Sequence, residues 1–411
     1  MHERIERLLR KTVEMDGSDL HFKTDTGKVY VRVYGELIQL EDEAPLFSDE
    51  FHESLFQMFT PEQRDRYYKE HDLDFATEIV GIARFRGNAY QQRGCTQAAF
   101  RVIPYVVKSM EELRLPPAVF EFIKKPRGLV LVTGPAGSGK STSLASMIDR
   151  INSTEPCHIV TVEDPIEFVH EDKKALIHQR ELYEDTLTFY NALKYVLRQD
   201  PDVILVGEMR DLETIHQAIT SAETGHLVFA TLHTVDAVQT VDRIIDVFPT
   251  HQQQQIRMQL SVNLVGVISQ TLVKRKDGRG RIAAYEALVA TNAIRNLIRE
   301  NKSYQIGSMI QTGMRQKMLS LDQSMANLVA DGLVDYDHAL SRAKDPGEFR
   351  RLVELGEEAE AKHPTGGQPP PPTAPPFSGG SSSEPPPSDG DAPKPVGGVR
   401  GQPWRPQVKR D

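Results

Sequence analysis

Leu129-Val-Leu-Val-Thr-Gly134-Pro135-Ala136-Gly137-Ser138-Gly139-Lys140-Ser141-Thr142 decides how this chain is read. An apolar run leads straight into Gly134–Ser141, which fits G-x-x-x-x-G-K-[ST] at every fixed position. Ser143-Leu-Ala-Ser-Met-Ile148 then continues as a helix. Strand, glycine-rich turn and helix in that order predict a loop whose backbone N–H groups face a polyphosphate, with the positive end of the helix behind them. Lys140 is then expected to reach the β- and γ-phosphates of ATP, and the Ser141 hydroxyl to ligate Mg²⁺. The bland alternative is a glycine turn without a ligand, and the lysine, hydroxyl and helix that follow argue against it.

Outward from this loop, strands and helices alternate. Residues 159–162, 203–206 and 227–231 are short apolar strands, each followed by polar residues. That pattern predicts an α/β fold with a parallel sheet and a ligand at its carboxyl edge. Upstream, Ile5, Leu8, Leu9 and Val13 mark one face of a helix. A β-hairpin is expected over 29–40 with its turn at Gly35-Glu36, then helix over 48–69 broken at Thr60-Pro61, then strands over 75–101. Residues 1–103 therefore read as a mixed α+β domain. Pro104, Pro116, Pro117 and Pro126 suggest a linker over 104–127. The ATPase domain is expected over 128–363, helical after His251 apart from a basic hairpin around 274–281. Residues 364–411 hold 14 of the 26 prolines and eight glycines, and read as a disordered tail.

Composition narrows the function. The chain has 411 residues, a net charge of -9 and two cysteines. Acidic balance argues against a dedicated nucleic-acid binder. Cys95 and Cys157 are too few for a disulfide framework or a zinc ribbon, and no Cys or His spacing suggests a metal site. No apolar run approaches the roughly 20 residues that span a bilayer, so a soluble protein without a transmembrane segment is expected.

Acidic groups must complete a phosphate loop. Val203-Ile-Leu-Val-Gly207-Glu208 ends a strand with a carboxylate placed for a metal-bound or attacking water. Thr161-Val-Glu163-Asp164-Pro165-Ile-Glu167 sets three carboxylates within five residues past another strand. Alone, Glu208 reads as the surface glutamate that commonly follows a strand, and 163–167 as a solvated acidic turn; beside the phosphate loop they become catalytic candidates. Gly225-His226 and Thr231-Leu-His233-Thr234 bracket a further strand. Thr231, His233 and Thr234 stand where a γ-phosphate sensor belongs, and Gly225 beside His226 suggests close backbone approach. Structural histidines are the bland reading of both. Arg84, Arg86, Arg93, Arg101, Arg198 and Arg210 are candidates for stabilising the transferring phosphoryl group, against a background of ordinary surface arginines.

With these residues in view, the chain resembles the type IV pilus retraction ATPases, the twitching-motility motors of the secretion ATPase superfamily. The likeness covers about residues 3–355. It includes Gly17-Ser-Asp-Leu-His21, Phe100-Arg-Val-Ile-Pro104, the phosphate loop, the acidic box Val162-Glu-Asp-Pro-Ile-Glu167, the Walker B segment 202–208, the His box 225–234 and Ala293-Ile-Arg-Asn-Leu-Ile-Arg-Glu300. It implies a PAS-like N-terminal domain, a RecA-like ATPase domain, and a homohexamer with ATP between subunits. It also implies pilus disassembly through an inner-membrane platform protein, at a cytoplasmic station peripheral to that membrane, and allows a paralogous retraction ATPase as partner. Carried over to this sequence, Lys140 and Ser141 would bind ATP and Mg²⁺, Glu163 and Glu208 would be the catalytic carboxylates, and His226 and His233 the His-box pair; on the residues alone, Arg210 stays a further catalytic candidate and Glu208 a Mg²⁺ ligand beside Ser141. Assembly motors commonly carry a four-cysteine zinc site, which this chain lacks. The family pattern has a smaller turn where Leu182-Tyr-Glu-Asp185 stands here. Other readings are a pilus or secretion assembly motor, a RecA-type nucleic-acid motor using the basic hairpin, and a catalytically weak partner subunit.

Overall fold

The computed structural model describes residues 3–362; the stretch 364–411 expected to be disordered lies outside the described residues. Strands β1 (Gly17–Lys23), β2 (Lys28–Val33), β3 (Glu36–Gln39), β4 (Asp72–Ile79), β5 (Ala83–Gln92) and β6 (Cys95–Pro104) form an antiparallel sheet in the order β3-β2-β1-β6-β5-β4. Alternation makes it one-sided. In β5, Ala83, Phe85, Gly87 and Ala89 are buried while the arginines between them are not. Helices Glu3–Glu14, Ser48–Phe56 and Pro61–Glu70 cover the apolar face, with Ile5, Leu9, Phe22, Phe51 and Phe100 in one cluster. The β2–β3 turn is Tyr34-Gly35, at φ 49° and 94°, which is the positive-φ pair that a tight hairpin requires. It falls one residue before the expected Gly35-Glu36 because Glu36 pairs with Val33 in the ladder.

A second sheet holds β7 (Gly128–Thr133), β8 (His158–Glu163), β9 (Leu176–Glu181), β10 (Val203–Val206), β11 (Leu227–Leu232), β12 (Leu264–Lys274) and β13 (Arg281–Val289). Its order is β13-β12-β7-β11-β10-β8-β9, parallel throughout except for the antiparallel edge strand β13. Every residue of β7, β10 and β11 is buried, as expected for parallel strands with helices on both faces. Helices Asn292–Arg299, Ile306–Thr312, Leu321–Ala330, Tyr336–Leu340 and Pro346–Lys362 complete the described C-terminal part. No described helix is long and apolar enough to cross a membrane.

The proline-bearing segment 104–127 is largely packed rather than open. Met110, Leu115, Val119 and Phe122 are buried with Val130 and Val132 of β7, and the Tyr285 hydroxyl donates to the Leu113 carbonyl at 3.0 Å. Gly266 leaves room for this segment, since a Cβ there would lie 2.2 Å from the Phe122 ring. Prolines dominate the local sequence, yet the apolar residues between them are what settle its packing. In the basic hairpin, Arg275 is held by Asp277 at 2.8 Å, and a Cβ on Gly280 would lie 3.5 Å from the Tyr34 ring. That turn therefore abuts the first sheet.

Candidate active site

Strand β7 delivers the phosphate loop to the carboxyl edge of the second sheet, and helix Lys140–Thr154 leads away from it. Gly134, Gly137 and Gly139 all have positive φ, at 142°, 73° and 89°. Gly134 also has no space for a side chain: a Cβ would lie 2.3 Å from the Gln270 carbonyl oxygen and 2.7 Å from Ser138 Oγ. Pro135, Ala136 and Gly137 form the exposed crest of the loop, while Ser138 is buried beneath it. Gln270 of β12 braces the loop from below, its Nε2 donating to the Ser138 carbonyl at 2.7 Å. Replacing Gly134 by alanine is expected to lower ATP affinity at least tenfold, measured by titration with a fluorescent nucleotide, because loop and brace must separate.

Lys140 Nζ donates to the carbonyls of Gly134 at 2.8 Å and Pro135 at 3.2 Å, and lies 3.4 Å from His233 Nδ1. Burial lowers its pKa, against the opposing pull of Glu208 and Glu167. His233 Nε2 is 3.0 Å from one Glu208 oxygen, and Arg210 donates to the other at 2.7 Å. Burial pushes the Glu208 carboxyl up, but Arg210 and His233 outweigh it and hold Glu208 below its ordinary value. Glu163, one strand away, accepts from Thr161 Oγ1 at 2.7 Å and Gln179 Nε2 at 3.2 Å. Desolvation dominates there and raises its pKa to about 7, despite those two donors. Gly207 lets the strand ends approach, since a Cβ would lie 3.1 Å from Glu163 Cα. Asp164-Pro165 is a cis peptide, and Asp164 lies 3.8 Å from Arg210.

The Glu163 shift has a consequence for stability. A carboxyl whose pKa rises from 4.5 to about 7 on folding weighs on the fold only once it ionises. The stability associated with its neutral form is complete below pH 4.5 and is lost as pH rises through about 7. Glu163→Gln is therefore expected to melt near wild type at pH 5 and above it at pH 8, by up to about 3 kcal/mol. Thermal melts at the two pH values check the sign.

Lys140, Glu163, Asp164, Glu208 and His233 line a cavity of about 920 Å³ with Ser141, Thr142 and Glu167, and Asp19, Arg32 and Arg101 of the first sheet line it too. The type II/IV secretion system protein family matches this chain over residues 93–341. The twitching motility protein of Neisseria gonorrhoeae is 51% identical over 315 residues, 77% of this chain and 84% of that relative. The type IV pilus retraction ATPase PilT of Pseudomonas aeruginosa is 49% identical over 345 residues, 84% of this chain and 99% of that relative. A solved structure of the pilus retraction motor PilT with bound ADP superposes with a TM-score of 0.77 at 43% identity, covering 85% of this chain and 99% of that one. The chain belongs to the type II/IV secretion system protein family, among its pilus retraction ATPases.

In this retraction ATPase the two His-box histidines part company. His226 stands at the amino end of β11, its Nδ1 2.9 Å from the Ser221 carbonyl and 3.3 Å from Thr224 Oγ1. A six-residue strand spans about 20 Å, so His226 lies at the other edge of the sheet from His233. Gly225 beside it has φ 116° and nothing within 4 Å of a Cβ, so the glycine serves backbone conformation and not the close approach expected from sequence. Thr231 donates to the Gly207 carbonyl and Thr234 pairs with Thr240, which leaves His233 as the sensor candidate that meets Lys140.

The arginines of the retraction ATPase divide as well. Arg101 lines the cavity and donates to Asp19 at 3.0 Å, Arg86 lies 3.7 Å from Asp74, and Arg84 acts electrostatically on Glu181. Arg93 sits in the β5–β6 turn at φ 51°, and Arg198 follows helix Phe189–Val196. Arg281 lines the cavity too, although the sequence placed it in a basic hairpin. Sequence reasoning passed over Gln179 and Gln270. For Gln270 the available signal was the polar run Ser269-Gln-Thr271 inside an otherwise apolar strand, whereas Gln179 stands in the mostly polar Leu176–Glu181, which gives none. In Leu182-Tyr-Glu-Asp185, Tyr183 takes φ 69° and is exposed, so the bulky side chain points away from the packing.

Proposed function

We propose that this chain is an ATP-hydrolysing motor that powers type IV pilus retraction as a homohexameric ring. The observation that carries the reading is the unbroken series from Lys140 to His233 to Glu208, at 3.4 and 3.0 Å, in a cavity that also holds Glu163. ATP phosphates take the place of the Gly134 and Pro135 carbonyls as partners of Lys140, and its release from them is the first change on binding. His233 senses that change because it contacts both Lys140 and Glu208.

The two carboxylates divide their tasks by environment. Glu163, with a pKa of about 7, is matched to accept a proton from the attacking water. Glu208, held ionised by Arg210 and His233, suits a hard cation. Ser141 and Glu208 supply one hydroxyl and one carboxylate, a donor set that fits Mg²⁺ with water and phosphate oxygens filling the remaining positions. Bound there, Mg²⁺ would neutralise phosphate charge. The first sheet and its helices are assigned as a PAS-like domain, and the second sheet as a RecA-like one. Residues 105–109, none of them buried, serve as the hinge between them. Arg84 and Arg86 are candidates to complete a neighbouring subunit's site. The ring works in the cytoplasm at the inner membrane, against a platform protein of the pilus.

Glu208→Gln tests the reading. Its kcat is expected to fall about 100-fold with nucleotide affinity little changed, since one oxygen still meets His233 while the charge is gone. Hydrolysis at the wild-type rate would remove Glu208 from the mechanism.

A further inference from the structure

A second cavity, of about 730 Å³, opens at the amino edge of the second sheet, where Gly128 begins β7 and Val265 stands near the start of β12. The nucleotide cavity lies at the carboxyl edge, about 20 Å away along six-residue strands. The two share no lining residue.

Its floor is apolar. Phe122, Val262, Val265 and Val289 line it, and Val262 is 62% exposed. Its walls carry five cations, Lys125, Arg127, Arg295, Arg315 and Lys317, against the two carboxylates Glu121 and Glu223. That excess stands on a chain whose net charge is -9, so it runs against the overall balance. Two of the five are already engaged. Arg295 donates to the carbonyls of Ala290, Ser261 and Leu264 at 3.0, 2.7 and 2.9 Å, and Lys317 pairs with Glu121 at 3.2 Å. Lys125, Arg127 and Arg315 enter no ion pair among the described residues. They come from two short basic runs, Lys125-Pro-Arg127 and Arg315-Gln-Lys317, that meet at this one cavity.

We propose that this cavity is a second ligand site, for a small anionic molecule with an apolar body, separate from the nucleotide cleft. Five cations exceed the two carboxylates Glu121 and Glu223, and an anion offsets that surplus while its apolar part covers the exposed valine. Concavity and a volume within the roughly 300–1,000 Å³ of small-molecule sites favour such a ligand over a protein partner, which would seat on a flatter surface.

The probe is 8-anilinonaphthalene-1-sulfonate, an aromatic body bearing one sulfonate, titrated into the full chain with the nucleotide cleft saturated by ADP. One saturable site per chain is expected, with N-phenyl-1-naphthylamine, which lacks the sulfonate, binding at least tenfold more weakly. Arg127→Glu combined with Arg315→Glu is expected to weaken sulfonate binding at least tenfold, the Arg127→Gln and Arg315→Gln pair by less, and both should hydrolyse ATP within twofold of wild type. Four results would overturn the proposal: unchanged affinity in the charge-reversed protein, equal affinity for the neutral analogue, no probe binding once ADP saturates the cleft, or loss of hydrolysis together with probe binding.

Discussion

Lys140→Ala is expected to hydrolyse ATP at least 1,000-fold more slowly than wild type and to bind it more weakly. The Lys140 ammonium donates to the Gly134 and Pro135 carbonyls, with His233 at 3.4 Å. Carbonyls are neutral partners, so a polyphosphate competes for the ammonium with the advantage of full charge. Partial burial strengthens the exchange, because charge pairs interact more strongly where water is thin. Alanine removes the charge at the β- and γ-phosphates, and with it the contact through which His233 and Glu208 register the nucleotide. Arg101 and Arg281 line the same cavity, yet neither is bonded to the phosphate loop, so neither substitutes. Steady-state phosphate release together with nucleotide titration separates the two losses. Hydrolysis within tenfold of wild type would place the phosphate elsewhere.

Glu163→Gln is expected to lower kcat by 100- to 10,000-fold, the range for loss of a general base, and to leave ATP affinity near wild type. The isosteric amide keeps an oxygen for Thr161 Oγ1 and Gln179 Nε2, so the strand end holds its place. What disappears is an ionisation near pH 7. In the wild type, kcat should therefore rise with pH through about 7 and level off above it, as Glu163 loses its proton and becomes able to accept one from water. The residual rate of the variant should lack that rise. A wild-type profile flat from pH 6 to 8, or a variant that keeps the rise, would assign the proton to another group. Glu208 is not expected to give a limb in this range, since Arg210 and His233 hold it below its ordinary value.

Local chemistry was the legible part of this sequence. The phosphate loop declares itself because glycines, lysine and hydroxyl must stand at set spacings for backbone N–H groups to turn inward. Glu163 and Glu208 were visible as acids ending apolar strands, and neighbouring parallel strands bring such ends together. Burial of Glu163 was not visible, because it depends on Thr161, Gln179 and the glycine at 207 closing around the carboxylate. Gln270 reaches Ser138 across 132 positions of sequence, and no local pattern reports such a pairing. His226 shows the reverse failure. Gly225 singled out His226 as a site residue, but the strand between the two histidines holds it about 20 Å from His233, and nothing approaches that glycine closely. The segment 104–127 misleads for a similar reason. Its prolines argue for a linker, while Met110, Leu115, Val119 and Phe122 gain more from burial against β7 than the local composition suggests.

Hydrolysis of ATP by this cavity within a six-subunit ring, as proposed above, is open to a direct test. Its most direct test is steady-state ATP turnover by the full chain across protein concentrations, with the mass of the assembly followed by light scattering on the same samples. Turnover per subunit is expected to appear as a six-subunit species forms and to be absent from Lys140→Ala at every concentration. Turnover independent of concentration in a monomer would contradict it, because each site would then be complete without a neighbour.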